Sequence, residues 1–442
     1  MIKYLKNLIF YLPLLIILSI WIWPDYQTNL ENAKFPVMKF AGFSIRITEI
    51  LFFCLFVSFL MVKILTLLIK GGDLKKKLKK ISSLLSFKNN YMKYIFGLAL
   101  IITVLGVFLG IINRNPTILL DIRGMSCALF IPMFFYSVSS IERIRKLFKL
   151  IYFLLIVIAV SSIFTSIIGK ISGLGAVSNL TIIMNLFLVC ISISFIIFRQ
   201  GKFYTNIPVL IIALIACLIT FAKFIFLALL ISSIVSILLT FSFSKTKFFL
   251  SPIFLTLIFL CVILILQNSS IMKAGLSRHN MDNINDYFQK RILREDVKDI
   301  SGGRFEIWRF MLGEVSLNPI IGTGFGGKTS IYNMLEKNFG DFIGEHNILL
   351  WALIRVGILG TIVLLFLGYY VIKVGYFCYK KENQLFYKAL LHAYLIFILS
   401  FLSINMVSLF FFTFELAIMF WIGIAIFLFF YSMRFENSVI QN

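Results

Sequence analysis

Apolar residues in this chain come in uninterrupted blocks of about 17 to 25, not in the short alternation of a half-buried strand, and the blocks recur along most of the length. A helix needs a run of that size to cross roughly 30 Å of hydrocarbon, where every backbone N–H and C=O must be satisfied within the segment. Twelve runs are read, near residues 8–23, 44–69, 94–112, 124–141, 147–169, 179–198, 207–222, 224–243, 248–267, 347–374, 388–406 and 412–433. The seventh and eighth are separated by Lys223 alone, so eleven spans with one long interrupted segment is the competing topology. The pattern predicts an all-α polytopic membrane protein. Residues 1–267 carry spans one to nine, 268–346 form a large polar loop, and 347–442 carry spans ten to twelve and a tail.

Charge sets the orientation. More than half of the 42 Lys and Arg fall in loops that share one side with the N-terminus, dominated by "KGGDLKKKLKK" (70–80) and "ERIRKLFK" (142–149). Short basic loops stay cytoplasmic, which predicts both termini inside and loop 268–346 outside. Composition agrees, with 60% apolar residues, 50 Phe and a mean hydropathy of +0.98. The net charge of +23 is then explained by topology and by anionic membrane lipids, and does not point to nucleic acid. Cys54, Cys127, Cys190, Cys217 and Cys261 fall in spans and Cys378 at an inner helix end, so no disulfide framework or metal-type CxxC is available. The first apolar run follows "MIKYLKN" as in a signal peptide, but no small-x-small site follows it, and it is read as a retained helix.

Loop 268–346 is polar enough to fold outside the bilayer. "INDYFQKRILREDVKDI" (284–300) has the charge density of a surface helix. Ser301 then caps "RFEIWRFMLGEVSL", in which Phe305, Trp308, Leu312 and Val315 form one apolar stripe. Asn318-Pro319 stops it, and a third short helix is expected from about Ser330 to Phe339. Between them, "GTGFGGKT" (322–329) has the spacing of a phosphate-cradling P-loop. That reading fails on context: "LNPII" is not a buried strand, and no α/β domain surrounds it to place a metal and a base. The run Asn-Pro-x-x-Gly-x-Gly-x-Gly is better read as a sharp turn. Either it is only a turn, or Gly322 and Gly324 leave N–H groups free to contact a phosphate.

Ionisable residues inside apolar runs are candidates by cost alone, and these are Glu49, Lys63, Arg355 and Glu415. Arg355 lies about 13 Å beyond His346 by helix rise and could reach back toward a carboxylate. Glu49 and Glu415 are expected near outer helix ends, in contact with water. Asp121 and Arg123 in "RNPTILLDIRGMS" read as a helix cap and a local pair. His279 and His392 carry no motif. The chain lacks an Asp-x-Asp pair of the metal-binding kind, and neither metal nor cofactor is expected.

The stretches "GGRFEIWRFMLGEVSLNPIIGTGFGG" and "GEHNILLWALIRVGILG" together resemble the signature region of the O-antigen ligase and polymerase family. The resemblance implies a GT-C-like, metal-independent glycosyltransferase of the bacterial inner membrane. It would move a glycan from undecaprenyl pyrophosphate to an acceptor hydroxyl at the outer face. Its partners would be the lipid-linked glycan, a lipid-linked or lipid A-core acceptor, membrane lipids and a chain-length regulator. Arg304 matches the family's loop arginine, implied to clamp the pyrophosphate; a surface ion pair with Glu306 is the plainer reading. His346 matches the family's histidine, implied to be the base, with an unperturbed pKa of about 6.5; an interfacial residue satisfied by Asn347 is the alternative. Lys223 stands where the family usually has an arginine, and a snorkelling lysine is its alternative. A lysine lacks bidentate geometry, so Arg309 is a candidate to assist, and Asn347 completes the His-Asn motif. The stretch "ISGLGAVSNL" (171–180) loosely resembles a further family segment ending in Asn, which would add Asn179 to the outer cavity. A polymerase of surface-polysaccharide repeat units is the first choice and the ligase the close alternative. A transporter or lipid flippase is the rival from another class, although no internal repeat and no matched midplane break is visible.

Overall fold

The computed structural model describes residues 2–22, 38–40, 43–45, 47–69, 90–115, 118–138, 140–172, 179–200, 203–218, 223–241, 304–327, 347–407 and 414–435. The helices are α1 Ile2–Ile22, α2 Ile47–Ile69, α3 Asn90–Ile112, α4 Ile118–Ser126, α5 Phe130–Ser137, α6 Ile141–Ser172, α7 Asn179–Ile197, α8 Phe203–Leu218 and α9 Lys223–Phe241. There follow α10 Arg304–Val315, α11 Ile348–Lys381, α12 Leu385–Ile404 and α13 Phe414–Phe430. A short antiparallel hairpin, β1 Met38–Phe40 with β2 Phe43–Ile45, precedes α2. Helices occupy eleven of the twelve expected apolar runs; the ninth, 248–267, lies outside the described residues. Among the described residues five helical stretches are long and apolar enough to cross a membrane: Asn90–Ile112, Ile141–Ser166, Ile348–Lys381, Leu385–Ile404 and Leu416–Arg434. Five shorter apolar helices accompany them, and the chain is a multi-pass membrane protein.

A helix that is apolar all round must be covered either by protein or by lipid. Both cases occur. α12 and α13 are buried along most of their length, whereas α3 exposes Ile101, Val104, Phe108 and Ile111. Inside, neighbouring helices are tied by small polar bonds, with Ser232 Oγ and Ser400 Oγ 2.7 Å apart and Ser194 Oγ 2.8 Å from His392 Nδ1. His392, to which the sequence assigned no role, is thus a fully buried bridge between α7 and α12.

The bundle has two distinct ends. At one, Arg143 donates to Asn7 Oδ1 at 2.9 Å, Lys388 Nζ donates to Glu382 O at 2.9 Å, and Arg434 NH1 pairs with Glu382 Oε1 at 3.1 Å. At the other, called here the loop end, the end of α3, the start of α4 and the start of α11 meet residues 316–327.

α11 has 34 residues and α12 has 20, yet they are joined by a short turn at one end, and Ile348 N donates to Asn405 O at 2.9 Å at the other. At 1.5 Å per residue one is about 50 Å long and the other about 30 Å, so α11 cannot be straight. It breaks at Gly357, where φ is 65° and ψ −169°. Residues 348–356 leave the axis of the rest and remain at the loop end.

Candidate functional site

The glycine-rich turn fills the break in α11. A continuous helix would have Ile358 and Leu359 donate to Ile354 and Arg355. Instead Ile358 N donates to Pro319 O (2.8 Å) and Leu359 N to Ile320 O (3.2 Å), while Ile354 O and Arg355 O accept from Thr323 N and Gly324 N, both at 2.8 Å. The turn therefore supplies the partners that the helix forgoes. On its far side Phe325 N donates to Gly106 O at 2.8 Å, and Asn115 Nδ2 donates to Thr323 O (2.9 Å) and Phe325 O (2.8 Å). Asn113 Nδ2 adds a bond to Thr323 O at 2.8 Å. This close fit explains the glycines. Gly324 has φ 82°, and a β-carbon there would fall on the backbone of Leu109 and Gly110; one on Gly106 would enter the Phe325 ring.

A carboxylate holds the end of the turn. Asp121, from α4, accepts Gly326 N at 2.6 Å and Trp351 Nε1 at 3.0 Å, and its Oδ2 lies 3.0 Å from Arg355 Nε. Arg355 also donates through NH1 to Gly327 O. Asp121 and Arg355 are both buried, and each makes hydrogen bonds beyond the pair, which a buried ion pair needs to offset its desolvation. Trp421 Nε1, on α13, fixes α4 from behind by donating to Gly124 O at 2.8 Å. One step along α4, Arg123 Nε lies 3.1 Å from Glu49 Oε1.

The residues singled out in the sequence are placed as follows. Arg355 does reach a carboxylate, that of Asp121. Gly322 and Gly324 donate their N–H groups to Asn318 O and Arg355 O, so the expected phosphate contact through free N–H groups is corrected: these are spent inside the protein. No strand leads into the turn, since α10 precedes it. Asn347 caps α11, its Oδ1 accepting Leu349 N (2.8 Å) and Leu350 N (3.2 Å). Arg309 is exposed on α10. The backbones of Arg304, Lys223 and Asn179 open α10, α9 and α7, while their side chains lie outside the described residues, as does that of Glu415. His346, His279, Ser301, 284–300 and 330–339 also lie outside the described residues.

Three expectations are corrected. Of the expected stripe on α10, Trp308 and Val315 do pack inward, partly buried, but its centre is Ile307 and Met311, packed on Ile354, with Glu314 buried beside them, while Leu312 faces outward and the Phe305 side chain lies outside the described residues. Glu49 is buried against Arg123 instead of being bathed in water. Asp121 is not a local cap but the hub of the node. Only half of the signal was present: Arg355, a single arginine inside an apolar run, is costly alone and cheap beside an acid, but Asp121 lies between two runs and does not stand out as that acid. Pairing them needed the fold. Among the described residues no three His, Cys, Asp or Glu are grouped to hold a metal ion.

The bonds described above are all made within the protein. What the node does is fix three elements as one body: α10, which begins at Arg304; the turn; and the first part of α11, which begins after His346-Asn347. Residues 208–365 match the family model described as O-antigen ligase, a stretch that contains Lys223, Arg304, Arg309, His346, Asn347 and Arg355. No curated protein matches the chain.

Proposed function

We propose that this chain, a member of the O-antigen ligase family by the match over its residues 208–365, is a membrane glycosyltransferase acting at the outer face of a bacterial inner membrane. It transfers a glycan from undecaprenyl pyrophosphate to an acceptor hydroxyl. The observation that carries the reading is that Lys223, Arg304, Arg309, His346 and Asn347 all fall in the matched stretch, in which the docked turn joins α10, beginning at Arg304, to the start of α11. Pyrophosphate is a leaving group that needs cations to hold its charge, not an acid; Arg304 fills that role, with Lys223 and Arg309 assisting. His346 takes the proton of the acceptor hydroxyl as the glycosidic bond forms. Asn347 sets the direction in which α11 starts, and Arg355 acts from behind by holding the turn.

Within the family, polymerisation of surface-polysaccharide repeat units is the reading adopted here, with ligation to lipid A-core as the alternative. The test is product formation by purified protein in detergent from an undecaprenyl-pyrophosphate-linked glycan. The wild type is expected to form product and His346→Ala and Arg304→Ala to form none while remaining folded. Full activity in both variants overturns the reading, and transport without product would favour the flippase. In a deletion strain, a single repeat unit left on its carrier identifies the polymerase, and polymer left on the carrier beside bare acceptor identifies the ligase.

A further inference from the structure

α10 has more apolar surface than the protein covers. Ile307 and Met311 face inward onto Ile354, but Phe310 and Leu312, on the two flanks of that stripe, are exposed. The turn after the helix continues the pattern with Leu317, Ile320 and Ile321, of which Leu317 and Ile320 are 68% and 61% exposed. At 100° per residue Arg309 and Gly313 share the back of the helix, which is narrow and polar. A loop element standing in water has no reason to expose five large apolar side chains within 12 residues, and a contiguous apolar surface rimmed by charge marks an interaction site.

What covers it is shown by what it adjoins. Pro319 O and Ile320 O accept from Ile358 N and Leu359 N, which puts the turn beside the exposed Ile358, Leu359 and Ile362 of α11. Phe325 N reaches Gly106 O on α3, whose exposed face carries Val104, Phe108 and Ile111. Both are helices long and apolar enough to cross a membrane. The apolar patch of the loop therefore adjoins the exposed apolar faces of α3 and α11.

We propose that α10 and residues 316–321 lie in the membrane leaflet at the loop end, with the flanks of α10 and the turn seated in acyl chains and Arg309 at the headgroups. An amphipathic helix with a wide apolar arc and a narrow polar back takes that position, buried about 5–10 Å into the headgroup and acyl boundary. This rests on the membrane reading and is independent of the transfer chemistry. If that reading also holds, the helix beginning at Arg304 meets the donor's head group at the depth where the lipid carries it.

The test uses the full chain in nanodiscs of phosphatidylethanolamine and phosphatidylglycerol, with Cys54 and Cys261 replaced by Ser and nitroxide labels placed singly at Leu317→Cys, Ile320→Cys and, as the lipid-facing reference, Ile362→Cys. Collision with oxygen is compared with collision with a water-soluble nickel chelate. The expected result is an oxygen-favoured ratio at 317 and 320 matching that at 362. A nickel-favoured ratio places the patch in water and overturns the proposal, as does low collision with both reagents, which would mean cover by protein. The two labels report separately, so a misfolded variant at one position leaves the other decisive. Neither readout requires catalysis, so loss of activity in His346→Ala and loss of lipid contact here are separate failures.

Discussion

Replacing Gly357 by alanine asks whether the turn and the helix break are one structure. At φ 65° and ψ −169° a residue with a β-carbon costs about 1–3 kcal/mol. The added methyl group would also fall on the Ile320 carbonyl. The chain can escape by straightening, so that Ile358 and Leu359 donate to Ile354 and Arg355. That gives up the four backbone bonds between turn and helix and recovers two. At about 0.5–1.5 kcal/mol each, the net loss of two bonds is again about 1–3 kcal/mol. Either route therefore weakens docking by about 2 kcal/mol, which lowers the docked population relative to the undocked roughly 30-fold. Hydrogen exchange followed by mass spectrometry in detergent reads this directly. Thr323 and Gly324 should lose protection by about that factor, while Ile358 and Leu359, rescued by ordinary helical bonds, should keep theirs. Glycan transfer should fall in parallel. Unchanged protection at Thr323 and Gly324 would refute the account, because those N–H groups would then owe nothing to the break.

The other predictions concern the node and the cations. Asp121→Asn leaves the buried Arg355 guanidinium without its counter-charge and should cost about 3–5 kcal/mol in unfolding, with part recovered in the double variant with Arg355→Gln; fully additive losses would show that the two are not coupled. Phe325→Ala empties a fully buried site between Gly106 and Trp351 and should cost about 3–5 kcal/mol by thermal unfolding, and no change in midpoint would mean the ring is not packed there. Lys223→Arg should keep transfer activity and Lys223→Ala should lose most of it. An active alanine variant removes Lys223 from the site.

The bundle was legible because hydrocarbon imposes one rule on every span, that an apolar run long enough to cross forms a helix, and α3, α11 and α12 obey it. The motif around the turn was equally legible, since Asn318-Pro319 and the spaced glycines announce a sharp bend. What the bend was for was not. Its N–H groups looked free in one dimension because their acceptors, the carbonyls of Ile354 and Arg355, seemed committed within a continuous helix; only the break at Gly357 releases them. Gly357 gave no warning, because "RVGILG" reads as ordinary span sequence and a glycine in a membrane helix is common. The stripe on α10 was misread for a related reason. Periodicity shows that a helix has an apolar arc, and when the arc is wide it does not say which edge meets protein.

Asp121 lies outside the stretch 208–365, although the turn, Trp351 and Arg355 that it holds lie inside. The recognisable third of the molecule is thus not a self-contained cassette. A chimera that imported this stretch from a cousin, or exported it to one, would bring a guanidinium into a greasy slot whose matching acid stayed behind. Exchange of specificity between such proteins would have to carry the first half's short α4 along with the signature region.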